Sequence, residues 1–135
     1  MPNLRKIYER VTGERDSRRQ TARQYFERTR AEVIHGSGLQ DEQVLWINPQ
    51  NKNVTSWALD EAIEWNVDGK IGRVGLEFRF DDAQAGAIVV WLTAFQEESG
   101  DIFIGVGDSK YGPVAALVED ITNTAAQAIE THFAR

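Results

Sequence analysis

In Ile102-Phe-Ile-Gly-Val-Gly-Asp-Ser-Lys-Tyr-Gly112 a hydroxyl, a carboxylate and an amine stand together at the end of a hydrophobic run. Three chemistries suit such residues. A serine at the end of a strand can attack an acyl carbon, provided that a base removes its proton and paired donors hold the oxyanion. Closely spaced glycines before a helix can cradle a phosphate on free backbone amides. The third possibility is a turn, in which Gly supplies permissive backbone and Asp and Ser bond to nearby amides.

Gly107-Asp108-Ser109 resembles the nucleophile block of the GDS-type serine esterases over three residues. In that family the block lies near the chain start, and a late Asp stands three residues before the catalytic His. Here only 26 residues follow Ser109, and His132 has Ile129 three positions before it. No partnered base is evident. Gly105, Gly107 and Gly112 also miss the G-x-G-x-x-G spacing, and no Walker-type order is present. The segment is therefore predicted to be a strand end and turn, with Gly112-Pro113 leading into a helix.

The remaining candidates are weaker. His35 and His132 are the only imidazoles, lie near opposite ends of the chain, and lack metal-ligand spacing. Each suits a helix C-terminus instead. Asp81-Asp82, Glu97-Glu98 and Glu119-Asp120 are adjacent carboxylates in turns or on a helix. Catalytic pairs are normally brought from separate elements into a cleft that moves their pKa values apart. No catalytic, cofactor-binding or metal residue is assigned, no cofactor is expected, and the chain is expected not to be an enzyme.

The elements that would position any site follow from periodicity. Leu4, Ile7, Tyr8 and Val11 recur at helical spacing before Gly13. Ser17, with Gln20 three residues on, reads as the cap of a second helix carrying the stripe Ala22, Tyr25, Phe26, Thr29 and Val33. One continuous helix from Leu4 to Ile34 is the alternative, at about 1 kcal/mol for Gly13 relative to Ala. Val44–Ile47 reads as a short strand. Residues 54–62 fit helix or strand, with strand favoured from Ala62 and a hairpin turn at Asp68-Gly69. Val74, Leu76, Phe78 and Phe80 alternate with Arg73, Glu77 and Arg79, as in a half-buried strand. Asp81–Gln84 reads as a turn, Ala87–Phe95 as a central strand and Ile102–Val106 as the next. Pro113–Phe133 is an amphipathic helix. The prediction is an α+β domain: an N-terminal helix or helix pair, an antiparallel meander of four to five strands, and a C-terminal helix packed on the sheet.

Charge divides this domain. Residues 1–35 hold nine Lys and Arg against five Asp and Glu, a net of +4; residues 36–135 hold six against sixteen, a net of −10. A basic helical arm, 1–35, is thus expected on an acidic body, 36–135. Such asymmetry concerns partners more than fold. No apolar run reaches the ~20 residues of a membrane helix, and no membrane partner is expected. The charged first thirty residues do not read as a secretory signal, and the absence of cysteine fits a cytoplasmic protein, with a virion or other assembly as an alternative setting.

The expected function is protein–protein interaction, with the chain a self-associating structural or assembly subunit. Its arm would contribute Arg18, Arg19, Arg23, Tyr25, Phe26, Arg28 and Arg30, since Arg and aromatics are enriched at interfaces. Trp46, Trp57, Trp65, Asp108 and Tyr111 are candidates for an interface or a pocket rim. The alternatives are an acidic inhibitor, immunity-type or chaperone-like binding protein, a small-ligand pocket between sheet and last helix, and nucleic-acid binding through the arm. The last is disfavoured by a pI of about 4.9.

Overall fold

Asn3 begins the first element. Its side chain accepts a hydrogen bond from the Lys6 amide at 3.1 Å, and one unbroken α-helix, α1, runs from Leu4 to Ser37. Gly38 ends it in the left-handed region, φ 72°, where a Cβ would be strained. The helix pair is therefore replaced by the continuous alternative. Gly13 is exposed with nothing within 4 Å of where its Cβ would lie, so it costs propensity but disturbs no packing. Ser17 is not a cap: its carbonyl accepts the Thr21 hydroxyl inside the helix.

This computed structural model describes residues 1–51, 55–56, 58–66, 70–81, 88–97, 99–107 and 114–134, with the backbone alone for 55–56 and 114–115. After α1 come a 3₁₀ turn at Asp41–Gln43, β1 (Val44–Ile47), β2 (Thr55–Ser56), the single helical turn α2 (Leu59–Ala62) and β3 (Glu64–Trp65). They are followed by β4 (Ile71–Phe78), β5 (Val89–Gln96), β6 (Ile102–Val106) and the helix α3 (Val114–Phe133). Of the ambiguous residues 54–62, Thr55–Ser56 are strand and Leu59–Ala62 helix, and the strand expected from Ala62 shrinks to Glu64–Trp65. The turns expected at 68–69 and 82–84, with Trp57, Asp108, Tyr111 and Pro113, lie outside the described residues.

All pairings are antiparallel, in the order β2-β1-β4-β5-β6, with β3 also on β4. β1 pairs residues 75–78 of β4 while β3 pairs residues 72–73, so the two short strands share one edge of β4. Helices α1 and α3 pack together on one face. Trp46, Val74, Leu76, Phe78, Val90, Leu92, Ala94 and Ile104 of that face meet Phe26 and Val33 of α1 and Leu117, Ile121 and Ala125 of α3 in the core. Phe26 meets Trp46 edge-on, centroids 6.3 Å apart.

The other face carries a correction. β4 was expected to be half-buried with Glu77 in solvent, but every residue from Val74 to Phe78 is buried and Glu77 is only 1% exposed. The alternation itself is right, because Glu77 lies in register with Leu45 and Val89 on the face opposite the helices. That face is covered at Leu45, Ile47, Gly75 and Glu77, whereas Arg73 on it is exposed and Val89 and Trp91 are half-buried. The Glu77 carboxylate accepts the Arg79 Nε–H at 2.8 Å, as a buried charge requires a partner. Beside it, Gly75 leaves room for the Trp91 ring: a Cβ there would lie 2.7 Å from that ring and 2.5 Å from Ile47 Cγ2.

Candidate interaction surface

Burial divides α1 into two parts. Its first buried residue is Ala22, followed by Phe26, Thr29 and Val33 at spacings of three and four. Counting back along the same seam leads through Arg18 and Arg15 to Val11, Tyr8 and Leu4. There the stripe continues without cover: Leu4 is 76% exposed, Tyr8 69%, Val11 48% and neighbouring Ile7 41%. None of residues 1–21 is buried. At 1.5 Å per residue the stretch from Leu4 to Ser17, before the first contacts with the body at Arg18 and Arg19, is about 21 Å long. The exposed ridge is thus a continuation of a core-forming face beyond the body that would cover it.

The root of this projection is held by a stack and an ion pair. Gly72 lies beneath the Trp65 ring, where a Cβ would approach within 2.7 Å. The Arg19 guanidinium lies over the same ring at 5.2 Å from its centroid, a cation–π contact. Arg23 reaches Asp60 of α2 at 2.9 Å. Both side chains of that pair are partly exposed, so it contributes at most about 1 kcal/mol. Arg18 is half-buried at the same level and also has a partner.

Arg30 serves the fold. Its Nε and Nη2 donate to the Val44 carbonyl at 3.1 and 2.9 Å, and Nη2 also reaches the Asp41 carbonyl at 3.0 Å. The residues expected to form the docking arm are therefore distributed differently. Phe26 is sealed at 0% exposure, and Trp46 at 1% packs against it, so neither is at a surface. The cause is depth: the lower half of α1 is a wall of the core. Arg18, Arg19, Arg23 and Arg30 have partners within their own chain, whereas Tyr25 and Arg28 are exposed. Trp65 is half-buried in the root stack. The ridge at residues 4–11 was visible as helical spacing, but nothing in its residue types says that the body stops short of it.

The described part of the glycine-rich segment ends at Gly107. Gly105 lies across from Thr93 in the sheet, and Gly107, at φ 62°, turns the chain while its amide donates to the Trp91 carbonyl at 2.8 Å. These contacts belong to a strand end. His35 and His132 occupy the last turns of α1 and α3. Asp81, Glu119 and Glu130 are exposed. Among the described residues, no three His, Asp or Glu side chains gather as metal ligands, and no helix is long and apolar enough to cross a membrane.

One further concavity lies at the opposite end of α1. Ser37 and Leu39, Phe78 at the end of β4 and Phe80 beyond it, and Thr122 and Ile129 of α3 border an open groove of about 230 Å³. No family model, curated protein or solved structure matches this chain. Function must therefore be argued from these surfaces alone.

Proposed function

We propose that the chain is a non-catalytic interaction protein that self-associates, its N-terminal helix docking on the acidic surface of another copy. The observation carrying this reading is the bare ridge Leu4, Ile7, Tyr8 and Val11, on a helix that is built into the core only from Ala22 onward. Scattered apolar residues on a surface need no explanation, but a contiguous ridge at core spacing marks an interaction site. Charge favours arm against body over arm against arm. Residues 1–20 hold six Lys and Arg against three Asp and Glu, so two arms repel, while the −10 body attracts.

The alternatives are less well supported. Nucleic-acid binding loses phosphate ligands, because Arg23 and Arg30 are committed to Asp60 and to backbone carbonyls. A small-ligand site usually offers ~300–1,000 Å³ with convergent polar groups. The groove is smaller and mainly apolar.

Light scattering on the full chain across concentration and salt tests the proposal. The expected result is a mass that rises with concentration and falls partly at high salt, because the charged share is screened and the apolar share is not. A monomer at every concentration and salt overturns it.

A further inference from the structure

The self-association proposed above leaves open where the arm lands. We propose that the ridge of one copy seats Leu4 and Tyr8 in the groove at the far end of α1 of a second copy, so that the assembly grows head to tail. This inference rests on the proposed self-association and adds the receiving site and the symmetry.

Three observations carry it. The first is shape and polarity. The groove offers about 230 Å³, bordered by Leu39, Phe78, Phe80 and Ile129. That suits one or two large side chains at helical spacing, which is what Leu4 and Tyr8 present.

The second is charge. The exposed carboxylates Asp41, Glu42, Asp81, Glu119 and Glu130 all lie within three residues of groove-lining positions. Arg79, its Nε held by Glu77, is the only Lys or Arg within that span of sequence, and the Arg30 guanidinium also lies beside Asp41, 3.0 Å from its carbonyl, leaving carboxylates in excess. The incoming ridge is interleaved with Arg5, Lys6 and Arg10, against Glu9 alone among the first eleven residues. Basic arm meets acidic rim around an apolar centre, the arrangement in which charge sets register and the buried side chains set affinity.

The third is reach. The helix is continuous over 34 residues, from Leu4 to a groove-lining Ser37. At 1.5 Å per residue it holds the two surfaces about 50 Å apart. A chain cannot bend its own ridge into its own groove without breaking that helix, so the occupant comes from another copy. Each copy then keeps one unused ridge or groove, and a heterologous contact of this kind closes into a ring or continues as a filament.

The test uses two full-length variants, Tyr8→Glu in the ridge and Thr122→Arg in the groove, each checked for wild-type helicity by circular dichroism. Sedimentation velocity on each variant alone is expected to show self-association weakened at least ~30-fold, as for loss of a central contact. A 1:1 mixture is expected to restore a single junction, because one partner has an intact ridge and the other an intact groove. The mixture should therefore give a dimer and nothing larger. Phe80→Ala replaces Thr122→Arg if the latter misfolds. Groove variants that assemble like wild type, while Tyr8→Glu blocks assembly, overturn the groove as the seat and leave the proposed function standing. The arm would then land elsewhere, for example on the sheet face around Trp91. A mixture that stays monomeric overturns the head-to-tail geometry. Monomeric wild-type protein overturns both proposals.

Discussion

Arg30→Ala separates a structural arginine from an interface arginine. In an antiparallel strand successive residues direct their backbone groups to opposite edges. The Gln43 carbonyl accepts from the Arg79 amide on the β4 side, so the Val44 carbonyl points to the other edge. There β2 pairs only with Trp46 and Ile47 and ends before reaching it. Val44 is 0% exposed, and the Arg30 guanidinium supplies donors to its carbonyl. Removing the guanidinium deletes charge-assisted bonds and leaves a buried acceptor unpaired, together about 2–3 kcal/mol. With a urea dependence of about 2 kcal/mol per molar for a domain of this size, the midpoint should fall by roughly 1–1.5 M. Arg30→Lys keeps one donor but not the fork, so it should recover part of the loss. Urea titration followed by tryptophan fluorescence in dilute solution reads both shifts. An Arg30→Ala midpoint within about 0.2 M of wild type, with weakened self-association, would refute the assignment of Arg30 to the fold and return it to the interface.

Three further substitutions test the packing that holds the arm. Phe26→Ala should cost about 3–5 kcal/mol, since its ring is sealed against Trp46, while Tyr25→Ala, 37% exposed, should cost far less in the same urea titration. Gly72→Ala must displace the Trp65 ring that lies under Arg19, costing about 1–3 kcal/mol and changing the near-ultraviolet circular dichroism of the indole; an unchanged spectrum and stability would contradict the stack.

Periodicity located the main elements because each has one dominant face. Val74, Leu76 and Phe78 alternate without exception, β6 occupies the expected residues, and α3 buries Leu117, Ile121 and Ala125 at four-residue spacing. Features that residue type alone does not set were not legible. Gly13 reads as a breaker, but propensity alone is a small cost in an exposed helix with ordered turns on both sides. Glu77 reads as solvent-facing by type, whereas the fold pairs it with Arg79 and covers it. Two-residue strands such as β2 and β3 are too short to express a period at all.

The proposed interaction ridge lies at other positions than the residues that composition singled out. Arg and aromatic residues at 18–30 have the composition of an interface, and composition does not report depth. Phe26 and Arg30 face inward because the body packs on that part of α1, and the ridge at 4–11 is exposed because the body ends.

The account stands on that exposed ridge, and the direct measurement is the oligomeric state of the full chain beside a version lacking residues 1–14. The deletion must stop there, because Arg18, Arg19 and Arg23 secure the root and the helix from Ala22 onward is core. Sedimentation equilibrium is predicted to show concentration-dependent assembly for the full chain and a folded monomer for the shortened one. Equal self-association of the two proteins would contradict the account.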